Sequence, residues 1–288
     1  MIDVKRGADV AVIGLGVIGG SVALRLLERG TAHRAFTTGA ADAALARRAG
    51  ILVAASLEEA VRDVGLVLIA VPVNHVCGVA EQVIAAAPNG ATILHAASLQ
   101  REDALGLMPE TAARVVGTHP LAGSHRTGFA AAVADLFQGA LVYVEQRAGA
   151  QQREDAEFFW SLAGAGRIEY RSGAAHDDAM AWMSHLPQLA STALAAALAR
   201  AQPDANDSER VPIGPGGRDA TRLAMSALGM WRPILERAPV ATLTALAAFE
   251  ASVRRLRAAV EARDWPAVED IWSAASQWRS AVDHGGEE

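Results

Sequence analysis

The chain has 288 residues, of which 51% are hydrophobic and 20% are charged, and its formal net charge is −6. This length provides enough core for one large or two modest domains, which excludes a wholly disordered chain. No uninterrupted apolar run reaches the ~18 residues of a membrane-spanning helix, and the acidic balance argues against a nucleic-acid surface. Cys77 is the only cysteine, which excludes an internal disulfide and indicates a reducing cytoplasm.

The first half of the chain alternates short β-branched runs with helical stretches. This alternation is typical of a parallel sheet whose faces are covered by helices. The predicted strands cover residues 9–13, 33–36, 65–71, 91–95, 115–119, 140–145 and 167–171. The predicted helices cover residues 21–29, 41–49, 75–87 and 151–162. We therefore expect residues 1–172 to form an α/β, Rossmann-like domain that binds a dinucleotide.

Beyond residue 172 the strand patterns stop and the helical patterns continue. Predicted helices cover residues 176–201, 219–227, 231–238, 240–263 and 267–282, and a loop at 203–217 is rich in Pro, Gly, Asp and Asn. Long apolar helices with few loops indicate a bundle that buries one face internally and another against a second copy. We expect residues 173–288 to form an all-α domain for substrate binding and homodimerisation.

A glycine motif of the form G-x-G-x-x-G follows the first predicted strand and opens a helix. Gly14 permits the tight turn, Gly16 lets the backbone approach a pyrophosphate, and Gly19 lets helix and strand pack closely. The helix N-terminus then faces the anion. The alternative is a glycine-rich turn in another α/β fold. The expected cofactor contacts here and in the wall after the third strand are Gly14, Leu15, Gly16, Val17, Ile18, Gly19, Val71 and Pro72.

The residues after the second predicted strand bear on the choice between NAD and NADP. An acidic residue about 20 positions past the glycines normally binds the adenosine ribose. Here the chain has Thr37, Thr38 and Gly39, and we expect the nearest carboxylate, Asp42, to cap the following helix. Because no carboxylate would repel a 2′-phosphate, the pattern favours NADP slightly over NAD, with Thr37 and Thr38 as hydroxyl donors. No arginine that would clamp the phosphate is evident.

Four further segments carry polar residues that suit a substrate site. Ser98 follows the strand predicted at 91–95, and residues 117–124 (GTHPLAGS) follow the next strand. Both lie at the carboxyl edge, where open α/β sheets bind ligands. The other segments are in the helical half: residues 184–188 (SHLPQ), and residues 216–222 (GGRDATR) followed by Trp231.

With these segments the chain resembles the prephenate/arogenate dehydrogenase family of tyrosine biosynthesis. The GTHPLAGS, His176-Asp177, SHLP and RDATR patterns occur in the family's order, and the resemblance runs from Val12 to about Arg279. It implies an oxidative decarboxylation, in which hydride passes from C4 of a cyclohexadienol to NAD or NADP and the ring carboxylate leaves as CO2. The C4 hydroxyl must lose its proton in that step, which requires a base.

The resemblance also implies roles for individual residues. It makes His119 the base, Ser98 a partner of the same hydroxyl or of the histidine, and Arg222 the guanidinium that binds a substrate carboxylate. The alternatives are a strand histidine bonded to backbone and a surface arginine. The remaining expected substrate contacts are Ser124, His125, His185, Gln188 and Trp231, of which His185 and Trp231 also suit core packing.

Three departures from the family pattern bear on the substrate. Residues 95–100 (HAASLQ) stand where the family usually has an acidic residue followed by Gly-Ser-Val-Lys. Gln188 stands where a second histidine often follows His-Leu-Pro, and His125 stands where a glutamate is common. With His125, Arg126, His185 and Arg222, we expect a cation-rich pocket. Such a pocket favours the prephenate dianion over arogenate, whose ammonium group would need an acidic partner. A 4-amino analogue of prephenate is a further candidate substrate.

Two other classes of protein remain as alternatives. One is another two-domain Rossmann dehydrogenase of the β-hydroxyacid or pyrroline-carboxylate type, which generally uses a catalytic lysine or another pattern. The only lysine here is Lys5, which is badly placed for that role. The other is a non-catalytic nucleotide-sensing protein, which would be indifferent to replacement of His119. No Cys-rich framework for a metal is present, and no metal is expected.

Overall fold

The computed structural model describes residues 10–123, 126–201 and 211–284. Its centre is a seven-stranded sheet with the strand order β2-β1-β3-β4-β5-β6-β7. The strands are β1 (Val10–Ile13), β2 (His33–Phe36), β3 (Leu66–Ile69), β4 (Thr92–His95), β5 (Val115–Pro120), β6 (Leu141–Glu145) and β7 (Arg167–Arg171). Neighbouring strands are parallel apart from β5 and β6. The predicted α/β class is confirmed.

Strands β1 and β3 are buried on both faces, as their apolar sequences VAVI and LVLI require. Successive side chains of a strand point to opposite faces of the sheet. Val10 and Val12 therefore belong to one core, which also contains Trp160. Ala11 and Ile13 belong to a second core on the other face. Both cores hold the carboxyl ends of the strands in fixed positions.

Within the part of the chain that the structure describes, seven helices accompany the sheet. They are α1 (Val17–Glu28), α2 (Ala40–Arg48), α3 (Leu57–Val61), α4 (Val76–Ala86), α5 (Glu102–Leu105), α6 (Pro109–Ala112) and α7 (Ala150–Ala163). The sequence does not predict α3, α5 and α6, because helices of four or five residues are too short to show a helical period. Helix α1 begins at Val17 rather than at residue 21, so it includes the second half of the glycine motif.

The pairing of β5 with β6 departs from the expected parallel sheet. The described residues between them form only a 3-10 turn at Phe129–Ala131, with no crossover helix. A parallel neighbour requires a helix-length crossover, so β6 returns antiparallel. Helix α7 provides such a crossover between β6 and β7, and these two strands are parallel.

The helical half contains α8 (Gly173–Met180), α9 (Leu186–Arg200), α10 (Pro215–Thr221), α11 (Leu228–Arg237), α12 (Pro239–Ala262) and α13 (Trp265–His284). The single helix predicted at 176–201 is instead α8, a π turn at Ala181–His185 and α9. Pro187 has no N–H to donate within the helix, and a wide turn absorbs the break. The loop predicted at 203–217 is wrong at its end, where α10 begins, and residues 202–210 lie outside the described residues.

The backbone divides into two compact units, one up to Pro239 and one from Val240 onward. The sheet and helices α1 to α11 belong to the first unit, and the second consists of α13 and nearly all of α12. The domain boundary predicted between residues 172 and 173 falls between β7 and α8, and it stays a prediction. Among the described residues, no helix combines the length and the hydrophobicity that crossing a membrane requires.

Candidate active site

The glycine turn between β1 and α1 is shaped by close backbone approaches. Gly14 has a φ of 98°, and a Cβ added there would lie 2.3 Å from the Ala70 carbonyl oxygen. A Cβ at Gly19 would lie 1.9 Å from the Gly14 oxygen, whereas a Cβ at Gly16 would meet nothing within 4 Å. Gly16 therefore opens the backbone to the cleft, and the N–H groups of the first turn of α1 lack intrahelical partners. This turn fits the pyrophosphate of a dinucleotide.

A cleft of about 710 Å³ begins at this turn and extends along the end of β2. The predicted cofactor residues that line it are Gly14, Leu15, Gly16, Thr37, Thr38, Val71 and Pro72. Gly19 does not line the cleft; instead it allows the close packing of helix α1 against the turn at Gly14. The structure also brings Asp42 into this lining, a residue that we expected to cap α2. That expectation is wrong, because Gly39 is the N-cap and the Asp42 carboxylate instead accepts the N–H of Phe129 at 2.8 Å.

A middle cavity of about 440 Å³ joins the cofactor cleft to the predicted substrate residues. Gly16, Val71 and Pro72 line both it and the cofactor cleft, and Val17 and Ile18 of α1 line the middle cavity alone. At its other end the middle cavity reaches Ser98 and His119. Val71 and Pro72, the predicted wall after β3, therefore lie between the cofactor cleft and the end of the middle cavity that contains Ser98 and His119.

A third cavity, of about 600 Å³, contains the predicted substrate residues and shares Ser98 and His119 with the middle cavity. The predicted residues that line it are Ser98, His119, His185, Gln188, Arg222 and Trp231. They come from β5, from the loop after β4, and from helical segments, and the outermost two, Ser98 and Trp231, are 133 positions apart in sequence. We call this space the substrate cavity. Ser124 and His125 lie outside the described residues.

His119 is the first member of a chain of hydrogen-bonded side chains. Its Nδ1 lies 2.9 Å from Nε2 of His176, and Nδ1 of His176 lies 2.8 Å from an Asp177 carboxylate oxygen. A carboxylate only accepts hydrogen bonds, so His176 carries its proton on Nδ1. In its neutral form His176 then accepts from His119 Nδ1–H. This arrangement leaves Nε2 of His119, on a ring that lines the substrate cavity, with its lone pair available.

The carboxylate of Asp177 is itself held by backbone. It accepts the N–H of Gln100 at 2.8 Å and the N–H of Arg101 at 3.0 Å. A Cβ added to Gly173, at the start of α8, would lie 2.5 Å from the Gln100 oxygen, so α8 meets this loop with no space to spare. The sequence analysis used His176-Asp177 only as part of a family pattern. The adjacent histidine and aspartate were the signal that could have identified them as site residues.

Three histidines at this site, His119, His95 and His185, are neutral because they are buried. Burial, reinforced by the positive charge that His176 would carry when protonated, lowers the pKa of His119 to about 3. Burial lowers the pKa of His95 to about 4, and its Nδ1 accepts the N–H of Ala97. Burial is also the main reason that the pKa of His185 is below its ordinary value. All three imidazoles are therefore uncharged at neutral pH.

Arg222 is the only lysine or arginine among the described residues that line the substrate cavity, and none of those residues is a carboxylate. The described lining therefore carries fewer positive charges than predicted. His185 is neutral, and Arg126 lines the middle cavity instead. Gln188 donates to the Leu223 carbonyl at 2.9 Å and so ties α9 to the turn that carries Arg222. The ring of His185 meets Trp231 edge to face, with centroids 5.9 Å apart.

Two family models match most of the chain. The model of the nucleotide-binding domain of prephenate dehydrogenase matches residues 22–169, and the model of its dimerization domain matches residues 172–272. The chain belongs to the prephenate dehydrogenase family. The resemblance predicted from the motifs is confirmed, and so is the predicted class of activity, that of an oxidoreductase.

Individual relatives agree with this assignment. The cyclohexadienyl dehydrogenase of Zymomonas mobilis is 31% identical over 88% of this chain and 89% of its own length. The prephenate dehydrogenase of Lactococcus lactis is 28% identical over 95% of this chain and 77% of its own length. A crystal structure of prephenate dehydrogenase from Aquifex aeolicus, in complex with hydroxyphenyl propionate and NAD+, superposes with a TM-score of 0.84 at 22% identity, covering 96% of this chain and 99% of that one. The superposition supports the fold.

Proposed function

We propose that this protein converts prephenate to 4-hydroxyphenylpyruvate by oxidative decarboxylation, with a nicotinamide dinucleotide as hydride acceptor. The observation that carries the proposal is the position of His119. Its ring lines both the middle cavity, which begins at the glycine turn, and the substrate cavity, which contains Arg222. A base, an anion-binding group and a dinucleotide cradle therefore meet along one continuous cleft.

The hydrogen-bond chain behind His119 suits it to accept the C4 hydroxyl proton of the substrate. A bound nicotinamide would supply the hydride acceptor. The proton on Nδ1 of His119 is held by His176, so the substrate proton passes to Nε2. Asp177 then stabilises the positive charge that the two imidazoles share. Ser98 lines the same junction, and in this proposal it hydrogen-bonds the hydroxyl.

Arg222 binds a substrate carboxylate in this proposal, and the substrate in turn strengthens the base. A guanidinium pairs with a carboxylate through two parallel hydrogen bonds. Negative charges close to an imidazole raise its pKa. The low pKa of His119 therefore rises when a dianion binds in the cavity, so the base gains strength when substrate is present.

The same cavity favours prephenate over arogenate. Arogenate carries an ammonium group where prephenate carries a ketone, and an ammonium requires a carboxylate or several carbonyl acceptors when it leaves water. The described lining offers no Asp or Glu. It does offer the guanidinium of Arg222 and the amide of Gln188, both of which suit an oxygen-rich anion.

The protein is further proposed to act as a homodimer in the cytoplasm. The family model that matches residues 172–272 is that of a dimerization domain. Apolar side chains on α12 and α13 are exposed, including Leu243 at 61%, Trp272 at 69% and Trp278 at 57%. Exposed apolar surface of this kind is typical of subunit contacts. A single cysteine, Cys77, suits a reducing compartment.

Absorbance of the reduced cofactor tests this function. The purified chain is assayed with prephenate and with arogenate, each against NAD+ and NADP+, and CO2 release is measured in parallel. We expect prephenate to give the larger kcat/KM, with one CO2 released for each cofactor reduced. A larger kcat/KM for arogenate, or cofactor reduction without CO2, would contradict the proposal.

A further inference from the structure

The cofactor cleft contains a carboxylate that the sequence analysis did not expect to find there. In dinucleotide-binding folds the ribose of adenosine lies beside the end of the second strand, where an acidic residue accepts a hydrogen bond from its 2′-hydroxyl. Here that strand ends at Phe36, and the next two positions are Thr37 and Thr38. The carboxylate that lines this end of the cleft is Asp42, from the first turn of α2.

Asp42 reaches the end of β2 because the chain turns sharply at Gly39. The N–H of Gly39 lies 3.3 Å from the Thr37 hydroxyl oxygen, which closes the turn. A Cβ added to Gly39 would lie 3.2 Å from Oδ2 of Asp42. The carboxylate therefore stands over the same turn as the two threonines, although it follows them by several positions in sequence.

The orientation of the Asp42 carboxylate is fixed from the other side. Its Oδ1 accepts the N–H of Phe129 at 2.8 Å. The segment that contains Phe129 is anchored on α1, because Val133 N–H donates to the Ser21 hydroxyl at 3.0 Å. The ring of Phe129 also lies against Gly20, where an added Cβ would be 2.9 Å from it. Oδ1 is thus engaged away from the turn, and Oδ2 is the oxygen nearer to Gly39.

No lysine or arginine in the described lining offsets this carboxylate. The lining of the cofactor cleft contains Asn74, His75 and Gln82 as its other large polar side chains, and no lysine or arginine. Arg126 lines the middle cavity, beside Val17 and Ile18. A 2′-phosphate placed at the end of β2 would therefore face a carboxylate with no guanidinium to neutralise it, whereas a 2′-hydroxyl would find an acceptor.

We propose that Asp42 makes this protein select NAD over NADP, by accepting the ribose 2′-hydroxyl and repelling a 2′-phosphate. The inference rests on the proposed function only in requiring that the cleft bind a nicotinamide dinucleotide. It reverses the preference for NADP that the sequence favours. That preference assumed that the discriminating carboxylate must lie directly after β2, and helix α2 supplies one from its own first turn.

Binding measurements on the full chain, without substrate, test the proposal. Titration calorimetry gives Kd for NAD+ and NADP+ with the wild-type chain, with Asp42→Asn and with Glu110→Gln. Asparagine keeps an oxygen for Phe129 N–H but removes the charge. Glu110, in the first turn of α6, is the control for loss of one negative charge outside the cleft. We expect the wild type to bind NAD+ more tightly, and Asp42→Asn to narrow the ratio of the two Kd values by about tenfold.

A second measurement keeps the proposal testable should Asp42→Asn not fold. Competition of 5′-AMP and of 2′,5′-ADP against a bound reduced cofactor on the wild-type chain reports the effect of the 2′-phosphate alone, and 5′-AMP should compete better. Equal or tighter binding of the 2′-phosphorylated ligands, or an unchanged ratio in Asp42→Asn, would overturn the proposal. If the chain selects NAD+ through Asp42 yet oxidises neither prephenate nor arogenate, only the proposed function fails.

Discussion

The cofactor cleft and the substrate cavity are built in different ways. The turn of the cleft is made by backbone from one short stretch, where Gly14 and Gly19 permit approaches that any side chain would block. The substrate cavity is made by side chains from four separated segments, among them His119, His185 and Arg222. Substitutions in the cleft should therefore act on folding and cofactor affinity, and substitutions in the cavity should act on chemistry and substrate affinity.

The largest effect is expected from His119→Asn. Loss of a general base costs about two to four orders of magnitude in rate, or about 3–5 kcal/mol. We expect kcat to fall by that amount while Kd for NAD+, measured by calorimetry, stays within a factor of two of wild type, roughly 0.4 kcal/mol. A variant that loses cofactor affinity to the same extent would show that the two regions are not separable in this way.

The next largest effect is expected from Gly14→Ala. The φ of 98° disfavours any L-residue, and the new Cβ would lie 2.3 Å from the Ala70 oxygen, which is backbone and cannot swing away. We expect a loss of about 3 kcal/mol in the free energy of unfolding, measured by urea denaturation, together with weaker NAD+ binding. Gly65→Ala is the control, because its Cβ would meet nothing within 4 Å. Equal stability of the two variants would refute this account of the turn.

Asp177→Asn should lower kcat by about tenfold to a hundredfold, because a hydrogen bond to a charged group is worth roughly 1.5–3 kcal/mol. The amide cannot stabilise a protonated His176, so the effect should appear in kcat and in its pH dependence, with KM little changed. Asp178→Asn is the matched control, since Asp178 is the adjacent, exposed aspartate. A change in KM alone would indicate that Asp177 only shapes the cavity.

Arg222→Lys should raise KM for prephenate by about tenfold, or about 1.4 kcal/mol, because an ammonium cannot form the two parallel hydrogen bonds of a guanidinium. Steady-state kinetics measure this, with kcat expected to change less than KM. Arg218→Lys serves as control, since Arg218 is exposed and donates to the Ile213 carbonyl outside the cavity lining. An equal rise in KM for both variants would point to a general loss of positive charge.

The smallest change requires no substitution. His119 must be neutral to accept a proton, and its pKa without substrate is about 3. The acid limb of kcat/KM, which reports the substrate-free protein, should therefore lie well below the ordinary histidine pKa of about 6.5. The acid limb of kcat should lie at higher pH, because the bound dianion favours the imidazolium. Coincident limbs at the ordinary value would argue against a buried base.

The stability of the fold should be checked in parallel with that pH profile. His95 has a pKa of about 4 in the folded chain, below the ordinary value, so the unfolded chain binds more protons in the interval between them. Its contribution to stability is therefore complete above about pH 6.5 and is lost progressively as the pH falls toward the folded-state value. Thermal unfolding at each pH separates this loss from a loss of catalysis.

Local patterns predicted those parts of the molecule that depend on neighbouring residues. The buried strands β1 and β3, the glycine turn and the start of the helical half near Ser172 all follow from periodicity and from residues that are adjacent in sequence. The prediction was wrong where distant contacts decide. The antiparallel return of β6 depends on what connects it to β5, and the π turn at Ala181–His185 depends on how Pro187 is accommodated.

The substrate residues were predicted by resemblance to a family, and their roles stay predictions. No sequence pattern indicated which residues lie next to each of these side chains in space. His176 and Asp177 stand behind His119 although His176, the nearer in sequence, follows it by 57 positions. Asp42 stands beside Thr37 because of the turn at Gly39.

By itself, the sequence determined that this protein has a mainly parallel sheet, a phosphate-binding glycine turn and a histidine at the end of a strand, because β-branched runs, glycine backbone and short polar motifs act within a few residues. Only the tertiary structure decided which nitrogen of His119 is bonded to His176 and which carboxylate lines the cofactor cleft. A proton's location and a pocket's charge depend on groups brought together through space, since hydrogen bonds and burial act over a few ångströms whatever the separation along the chain.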